Sequence, residues 1–534
     1  MDRRQFLAGG AAMATAAAAA TMSTPNIARA AEGKVLRFIP QADLAVLDPV
    51  WTTAYVTRNH GMMVFDTLFG QDGAYRPQPQ MVQGVVASPD GKDWTLTLRD
   101  GLRFHDDTPV LARDCVASVS RWGKRDAFGQ ALMAATDELS APDDKTMRFR
   151  LKRPFPLLPD ALAKVGVSMC PIMPERLART DPFTQVTEMV GSGPYRFLAG
   201  ERVPGAKVAY ERFAGYVPRP DGTTALTAGP KVAKFDLVEW TTIPDAATAL
   251  GALQNGEADW WEQPTFDLLP VMQGDDKLRV ELLDPTGYPS LLRMNQLFPP
   301  FDNPAIRRAL LGAVNQTEYM TAVAGTDPTW WKDGVGYFPP GSPLASDAGM
   351  AALTGPRDIA KAKAEIAAAG YRGEPIVVMV ATDYPTLNAL ALVGVDMLKR
   401  CGFNVDVVAT DWGSVVQRRS SRNAPDKGGW NVFFTSFTGL DEYTPAGYLG
   451  LRGNGTAGWF GWPTAPKLEE LRAAWFAAPD AAAQKTIGAA MQAQAFVDVP
   501  FLPLGEYLQP TAYSTGLKGV LKGMPLFWNV ERAA

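Results

Sequence analysis

The sequence predicts an α/β protein of two separately folded lobes, and three observations carry the prediction. Its 534 residues, at about 150 per domain, allow three or four structural units with sizeable cores. Before residue 280 the apolar pattern alternates as in half-buried antiparallel strands, whereas 376–436 reads as a β-α-β-α-β series, whose crossovers require a parallel or mixed sheet. Hydrophobic residues at 46% and charged residues at 20% are an ordinary globular balance. The 49 Gly and 43 Pro exceed average usages of roughly 7% and 5%, and predict many turns and long ordered loops.

The chain opens Met1-Asp2-Arg3-Arg4-Gln5-Phe6-Leu7, continues through an Ala/Gly-rich run and reaches Ala28-Arg29-Ala30. This is a charged n-region, a weakly apolar h-region and an A-x-A cleavage site. Twin arginines before so modest an apolar stretch fit a twin-arginine (Tat) signal peptide over 1–30, with export to the periplasm and a mature chain beginning near Ala31. The uncharged run between Arg4 and Arg29 also admits a membrane anchor, but Ala and Gly side chains supply little transfer free energy. The leader has no cysteine for lipid attachment.

Val35–Ile39 reads as the first strand. Residues 94–99 alternate after a Pro89-Asp90-Gly91 turn, and Met147–Leu151 repeats the alternation. Between them Thr108 is expected to cap a helix with Pro109 at its first position; Leu111, Cys115, Val119 and Trp122 then share one buried face. Past residue 280 Asn303-Pro304 starts a helix carrying Ile306, Leu310 and Val314, and 358–369 is a helix stopped by Gly370. Strand 376–381, helix 387–401, strand 405–408, a short helix after Trp412 and strand 432–435 follow. Helices over 467–476 and 481–497 and a strand over 501–504 complete the series.

Composition and motifs exclude several functions. With 52 Lys plus Arg against 56 Asp plus Glu, a formal net charge of −4, no basic excess exists to neutralise a phosphate backbone, so nucleic acid is not an expected partner. Two histidines, His60 and His105, and three scattered cysteines, Cys115, Cys170 and Cys401, remove most zinc sites and most histidine-dependent catalysis. Whether two of the three cysteines pair is open at this level. There is no G-x-S-x-G, H-E-x-x-H, P-loop or EF-hand. Gly191-Ser192-Gly193-Pro194 reads as a turn. His105 before Asp106-Asp107 reads as a polar loop histidine, because sequence neighbours on an extended chain point apart. No cofactor is expected. Two carboxylates remote in the chain leave a secreted hydrolase as the alternative from another class.

Residues 94–116, Trp-Thr-Leu-Thr-Leu-Arg-Asp-Gly-Leu-Arg-Phe-His-Asp-Asp-Thr-Pro-Val-Leu-Ala-Arg-Asp-Cys-Val, resemble the signature of the family 5 solute-binding proteins of ABC importers, the peptide- and dipeptide-binding class. The family has Gly where Asp107 stands. Leu47-Asp48-Pro49, Gly191 to Phe197, Asn295 leading into Phe301-Asp-Asn-Pro, Ala360-Lys-Ala-Lys with Gly370-Tyr371, and Val499-Pro-Phe-Leu-Pro503 match in family order over nearly the whole mature chain.

The resemblance implies a two-lobed periplasmic-binding-protein clamshell with an extra subdomain in the first lobe. The expected division is 31–290 for the first lobe, 291–502 for the second α/β lobe and 503–534 for the return to the first, with hinge strands near Tyr288–Asn295 and Val499–Tyr507. It further implies a monomeric non-enzyme of the periplasm, binding a peptide-like or other amine-bearing small solute between its lobes and passing it to ABC permease subunits. An oligosaccharide is the alternative solute, because Trp faces suit sugars. By resemblance, Trp412 and Phe437 contact ligand, with core packing as the alternative reading. Asp441 meets the ligand's amine, once one residue inserted after Phe437 is allowed for. Thr53, Ala54 and Tyr55 contribute from the first lobe. Trp459, in the aromatic Trp459-Phe460-Gly461-Trp462 cluster, is a cleft wall or a loop anchor. Relatives carry an arginine near Phe434 that meets the peptide carboxylate in some members; this chain has none there.

Overall fold

The computed structural model describes residues 34–533; the twin-arginine leader and the cleavage site near Ala31 lie outside the described residues. The alternating segment Val35–Ile39 is the centre of a seven-stranded mixed sheet. Its order runs Leu278–Glu281, Thr511–Ser514, Trp260–Trp261, Val35–Ile39, Leu237–Thr241, Lys207–Arg212, Tyr195–Phe197. Val35–Ile39 is parallel to both of its neighbours. The β-α-β-α-β stretch forms the other large sheet, in the order Trp331–Lys332, Leu502–Tyr507, Tyr288–Met294, Val432–Ser436, Pro375–Ala381, Asn404–Thr410. Its last three strands are parallel. Val432–Ser436 is buried along its whole length, as a central strand covered on both faces must be.

A four-stranded antiparallel sheet of Val82–Ala87, Asp93–Leu98, Thr146–Leu151 and Thr136–Ser140 is the extra subdomain of the first lobe. Helix Ala112–Trp122 lies against it, with Cys115, Val119 and Trp122 fully buried. That helix starts three residues later than Thr108 led us to expect, with Leu111 rather than Thr108 at the cap. Arg103 bridges to Pro109 and Phe104 N–H donates to Thr108 O at 2.9 Å, so the segment is spent in a tight hairpin, and Asp114 accepts from Leu111 N–H at 2.8 Å to begin the helix. Asp107, where the family has Gly, sits at φ 63° in that hairpin, a left-handed conformation that Asp tolerates better than most side chains. Helices Pro304–Leu311 and Ile359–Ala368 begin at side-chain caps, Asn303 accepting from Ala305 N–H at 2.9 Å and Asp358 from Lys361 N–H at 2.8 Å.

His105 is buried rather than a polar loop side chain. Its Nε2 lies 3.0 Å from Gly193 O, Gly191 N–H donates to its Nδ1 at 3.3 Å, and burial lowers its pKa to about 4. The glycines it pins press against the backbone: a Cβ on Gly191 would lie 1.9 Å from Val64 O. Packing therefore accounts for the Gly-Ser-Gly-Pro motif. Cys115, Cys170 and Cys401 are buried free thiols. Among the described residues no helix is long and apolar enough to cross a membrane.

Candidate functional site

The chain passes between the two large sheets twice, over residues 282–287 and 508–510. Tyr288–Met294 and Leu502–Tyr507 are thus central strands of the second sheet, and the crossings flank them rather than coincide with them. Tyr288 and Tyr507, at the ends of these strands, stack with centroids 5.2 Å apart. Gly439 N–H donates to Gly287 O at 2.9 Å, and a Cβ on Gly439 would lie 2.0 Å from Thr286 O, so the loop after Val432–Ser436 is seated directly on the first crossing.

From the first lobe, the Val50–Tyr55 segment reaches into the space between the sheets. Asp48 holds it there: its carboxylate accepts from Val50 N–H at 2.9 Å and from Val186 N–H at 2.9 Å, and pairs with the Arg121 guanidinium at 2.7 Å. Both partners are buried, which makes the Leu-Asp-Pro motif a structural anchor for the loop behind it. Thr53, Ala54 and Tyr55 then line a small space together with Trp412 and Phe437 from the second lobe. It measures about 10 Å³, room for one water at most. The Trp412 ring meets Tyr384 edge-on at 6.0 Å, and the Trp412 backbone N–H donates to Asp383 Oδ1 at 2.7 Å.

Trp459 stands between this space and a larger chamber of about 560 Å³, within the size range of solute pockets. Its indole N–H donates to Thr53 Oγ1 at 3.3 Å and its ring lies 5.1 Å from Phe437. Arg293, fully buried on strand Tyr288–Met294, donates to Phe460 O at 2.6 Å and Gly450 O at 2.9 Å with its guanidinium 4.9 Å from the Trp459 ring. The aromatic cluster is therefore clamped from beneath and presents Trp459 to the chamber. The walls come from both lobes: Trp51, Lys124, Arg125 and Phe183 on one side, Arg422, Trp459 and Trp462 on the other.

Asp441 opens onto neither space. Its Oδ2 accepts from the Tyr55 hydroxyl at 2.7 Å and from Thr438 Oγ1 at 3.0 Å, and its Oδ1 accepts from Val167 N–H at 3.0 Å. Tyr55 and Val167 belong to the first lobe, so this carboxylate ties the lobes together. Gly166 admits it, since a Cβ there would lie 1.8 Å from Oδ1. A second tie places the Tyr384 hydroxyl 2.8 Å from Gln41 Oε1 and 2.9 Å from Gln263 Oε1. Nearby Glu262 accepts from Gln41 N–H and Asn59 Nδ2, each at 2.8 Å, and burial raises its pKa to about 7.

The structure thus brings Thr53, Ala54, Tyr55, Trp412, Phe437 and Trp459 to one interlobe site, with Asp441 bound behind it. Sequence reasoning missed the cations Lys124, Arg125, Arg419 and Arg422. The signal was present in Arg418-Arg419-Ser420-Ser421-Arg422, three arginines in five residues. Among the described residues no group of three or more His, Cys, Asp or Glu could hold a metal ion.

Residues 76–459 match the model of the middle region of the bacterial extracellular solute-binding proteins, family 5. The chain is 38% identical, over 97% of its length and 98% of the other's, to a protein of Sinorhizobium fredii described as a probable peptide ABC transporter periplasmic-binding protein, y4tO. It is 26% identical, over 73% of its length and 72% of the other's, to the glutathione-binding protein GsiB of Pectobacterium atrosepticum. Among solved structures it resembles the periplasmic binding protein AgaA of A. tumefaciens R10, solved with agropinic acid, with a TM-score of 0.75 at 22% identity over 94% of this chain and 99% of that one.

Proposed function

Because the chain belongs to family 5 of the bacterial extracellular solute-binding proteins, we propose that it is the periplasmic binding component of an ABC importer. It captures a peptide-like or other amine-bearing small solute between its lobes and delivers it to the transmembrane permease subunits. The observation that carries this reading is the 560 Å³ chamber walled by two lobes that only the two crossings join. A cavity assembled from two bodies joined by short segments opens and shuts with their relative rotation, the geometry of hinge-type closure around a ligand. The relatives' names support a peptide-like cargo.

In this reading the lobes are 34–281 with 511–533 and 288–507, and the crossings are the hinge. Trp412, Phe437 and Trp459 are the aromatic surfaces against the solute, and Thr53 to Tyr55 the first-lobe edge. Asp441 and Tyr384 act in closure, drawing Tyr55, Val167 and Gln41 across the cleft. An ammonium group reaches Asp441 only by displacing the Tyr55 hydroxyl. The protein works as a monomer without chemical turnover, and its leader directs twin-arginine export, so that Arg3→Lys together with Arg4→Lys leaves precursor in the cytoplasm.

Native mass spectrometry of protein purified from its own host, followed by calorimetry with the identified solute, tests the reading. The expected result is one peptide-like or amine-bearing molecule bound per chain and recovered unchanged. Conversion of the solute, or a neutral oligosaccharide as the bound molecule, refutes it.

A further inference from the structure

Three cations around the chamber, Lys124, Arg125 and Arg422, are paired with no acid among the described residues. No Asp or Glu lines it. Arg125 donates to Trp51 O at 2.7 Å and lies 4.8 Å from the Phe183 ring. Arg422 donates to Thr456 O at 2.7 Å and lies 5.5 Å from the Trp462 ring. Among the described residues neither of them, nor Lys124, has a carboxylate within 4 Å, whereas Arg452 on the same wall is paired with Glu469 at 3.0 Å. Burial lowers the pKa of Arg125; Asp48 and, more weakly, Asp181 counter this, while Arg121 and Arg422 lower it further. Three positive groups from two lobes thus converge on one volume.

Arg419, at the inner end, is more isolated still. It is 1% exposed and faces the small space beside Thr53. Its guanidinium lies 5.2 Å from the Trp412 ring and 5.1 Å from the Phe460 ring. Its acceptors are Thr53 Oγ1 at 3.1 Å and Thr52 Oγ1 at 3.5 Å, and its Nε has no partner. Burial brings its pKa down to about 9. Aromatic faces attract a cation but accept none of its in-plane hydrogen bonds, and a buried charge without a counter-charge is costly. Other interior cations have a counter-charge or several carbonyl acceptors: Arg121 pairs with Asp48 and Lys231 with Asp66, both at 2.7 Å, while Arg293 donates to Phe460 O, Gly450 O and Pro500 O, and Arg307 to Val499 O, Phe301 O and Asp498 O. Arg419 has neither a carboxylate nor a carbonyl acceptor.

We infer that the solute is an acid of net negative charge, with an ionised carboxylate or comparable oxyanion seated among Lys124, Arg125 and Arg422 and drawn toward Arg419. The inference rests on the reading of this chamber as the solute site, and narrows it from any peptide-like molecule to an anionic one.

The test uses mature full-length protein stripped of co-purified solute by unfolding and refolding, with three probes. Glu-Ala-Glu and Gln-Ala-Gln have nearly the same shape and differ in charge, and tricarballylate is an acid without an amine. Calorimetry is expected to show Glu-Ala-Glu bound at least about tenfold tighter than Gln-Ala-Gln, as charge-assisted bidentate contacts require. Replacing both Arg125→Gln and Arg422→Gln should cost the acidic peptide at least about tenfold more than the amide peptide. These two positions border the chamber, so the result does not depend on Arg419, whose removal disturbs an aromatic core. Equal affinity for the two peptides, or preference for the amide, overturns the inference while leaving the peptide reading intact. Binding of tricarballylate with the same arginine dependence, and of neither peptide, upholds the inference and sinks the peptide reading. A neutral solute identified by mass spectrometry, or no acid bound at all, overturns it.

Discussion

Replacing Asp441 by Asn asks whether this carboxylate closes the lobes or holds an amine. The wild-type group receives three hydrogen bonds, two of them from the first lobe. Asparagine keeps one oxygen, which can still accept from Val167 N–H. Its amide nitrogen then faces the Tyr55 and Thr438 hydroxyls, which must turn to accept, while Tyr55 Oη already accepts from Thr438 N–H. A hydrogen bond to a charged group contributes about 1.5–3 kcal/mol and a neutral one about 0.5–1.5, so the closed state loses about 2–3 kcal/mol once one bond is neutralised and one is reversed. Because binding and closure are linked, dissociation constants should rise roughly 30- to 150-fold, at about 1.4 kcal/mol per decade. Calorimetry on an amine-bearing and an amine-free acid reads the two roles apart. A closing role weakens both equally and leaves a larger scattering radius at a fixed sub-saturating solute concentration; an amine-holding role weakens only the first. Unchanged affinity for both, with an unchanged radius, would refute the reasoning.

Removing Arg121 as Arg121→Ala strands the buried Asp48 carboxylate and should cost about 3–5 kcal/mol of stability; a denaturation midpoint within error of wild type would contradict the anchoring role. Gly191→Ala forces a methyl onto Val64 O and should destabilise by about 1–3 kcal/mol or more, read as a lower midpoint. His60 is buried with its pKa lowered to about 3, so its contribution to stability is complete above the unfolded-state value of roughly 6.5 and is lost as pH falls from there toward 3. His60→Gln should lack that loss, so its stability deficit against wild type should shrink by about 1.4 kcal/mol per pH unit below pH ~6.5; Glu262, raised to about 7, acts oppositely in both proteins and drops out of the difference. The three cysteines, whose thiol pKa values burial raises, should react with a disulfide reagent only after denaturation; fast labelling of the native protein would show an opening the fold does not contain.

Most of the fold was legible because its segments carry local signals. Asn303, Asp358 and Asp411 are caps written in the residues that make them. The alternating 147–151 and the apolar 432–435 declare a half-buried and a fully buried strand. Thr108-Pro109 misled for an equally physical reason: the same dipeptide suits a helix start and a hairpin, and the bridge to Arg103, several residues back, decided between them. At the proposed site, Trp412, Phe437 and Trp459 were singled out by residue type and family position. Arg125 and Arg419 were not, because their meaning depends on which acids fail to surround them. Asp48–Arg121 and Asp441–Tyr55 span 73 and 386 residues of chain, and no periodicity reports a pairing at that range.

The order of strands in the first sheet has a consequence for synthesis. Strand Thr511–Ser514 lies between Leu278–Glu281 and Trp260–Trp261, and Phe527 packs on Phe38 at 4.9 Å and Trp260 at 5.6 Å. The portion of this body made first therefore waits, with an open seam between two of its strands, while more than two hundred residues of the other body are translated. That other body is continuous in sequence and is free to fold as it emerges. The seam is filled only by the last few dozen residues, so a ribosome that stops short leaves a chain with one finished half and one that cannot zip shut, a form that quality-control proteases can tell from the complete protein by its exposed strand edges.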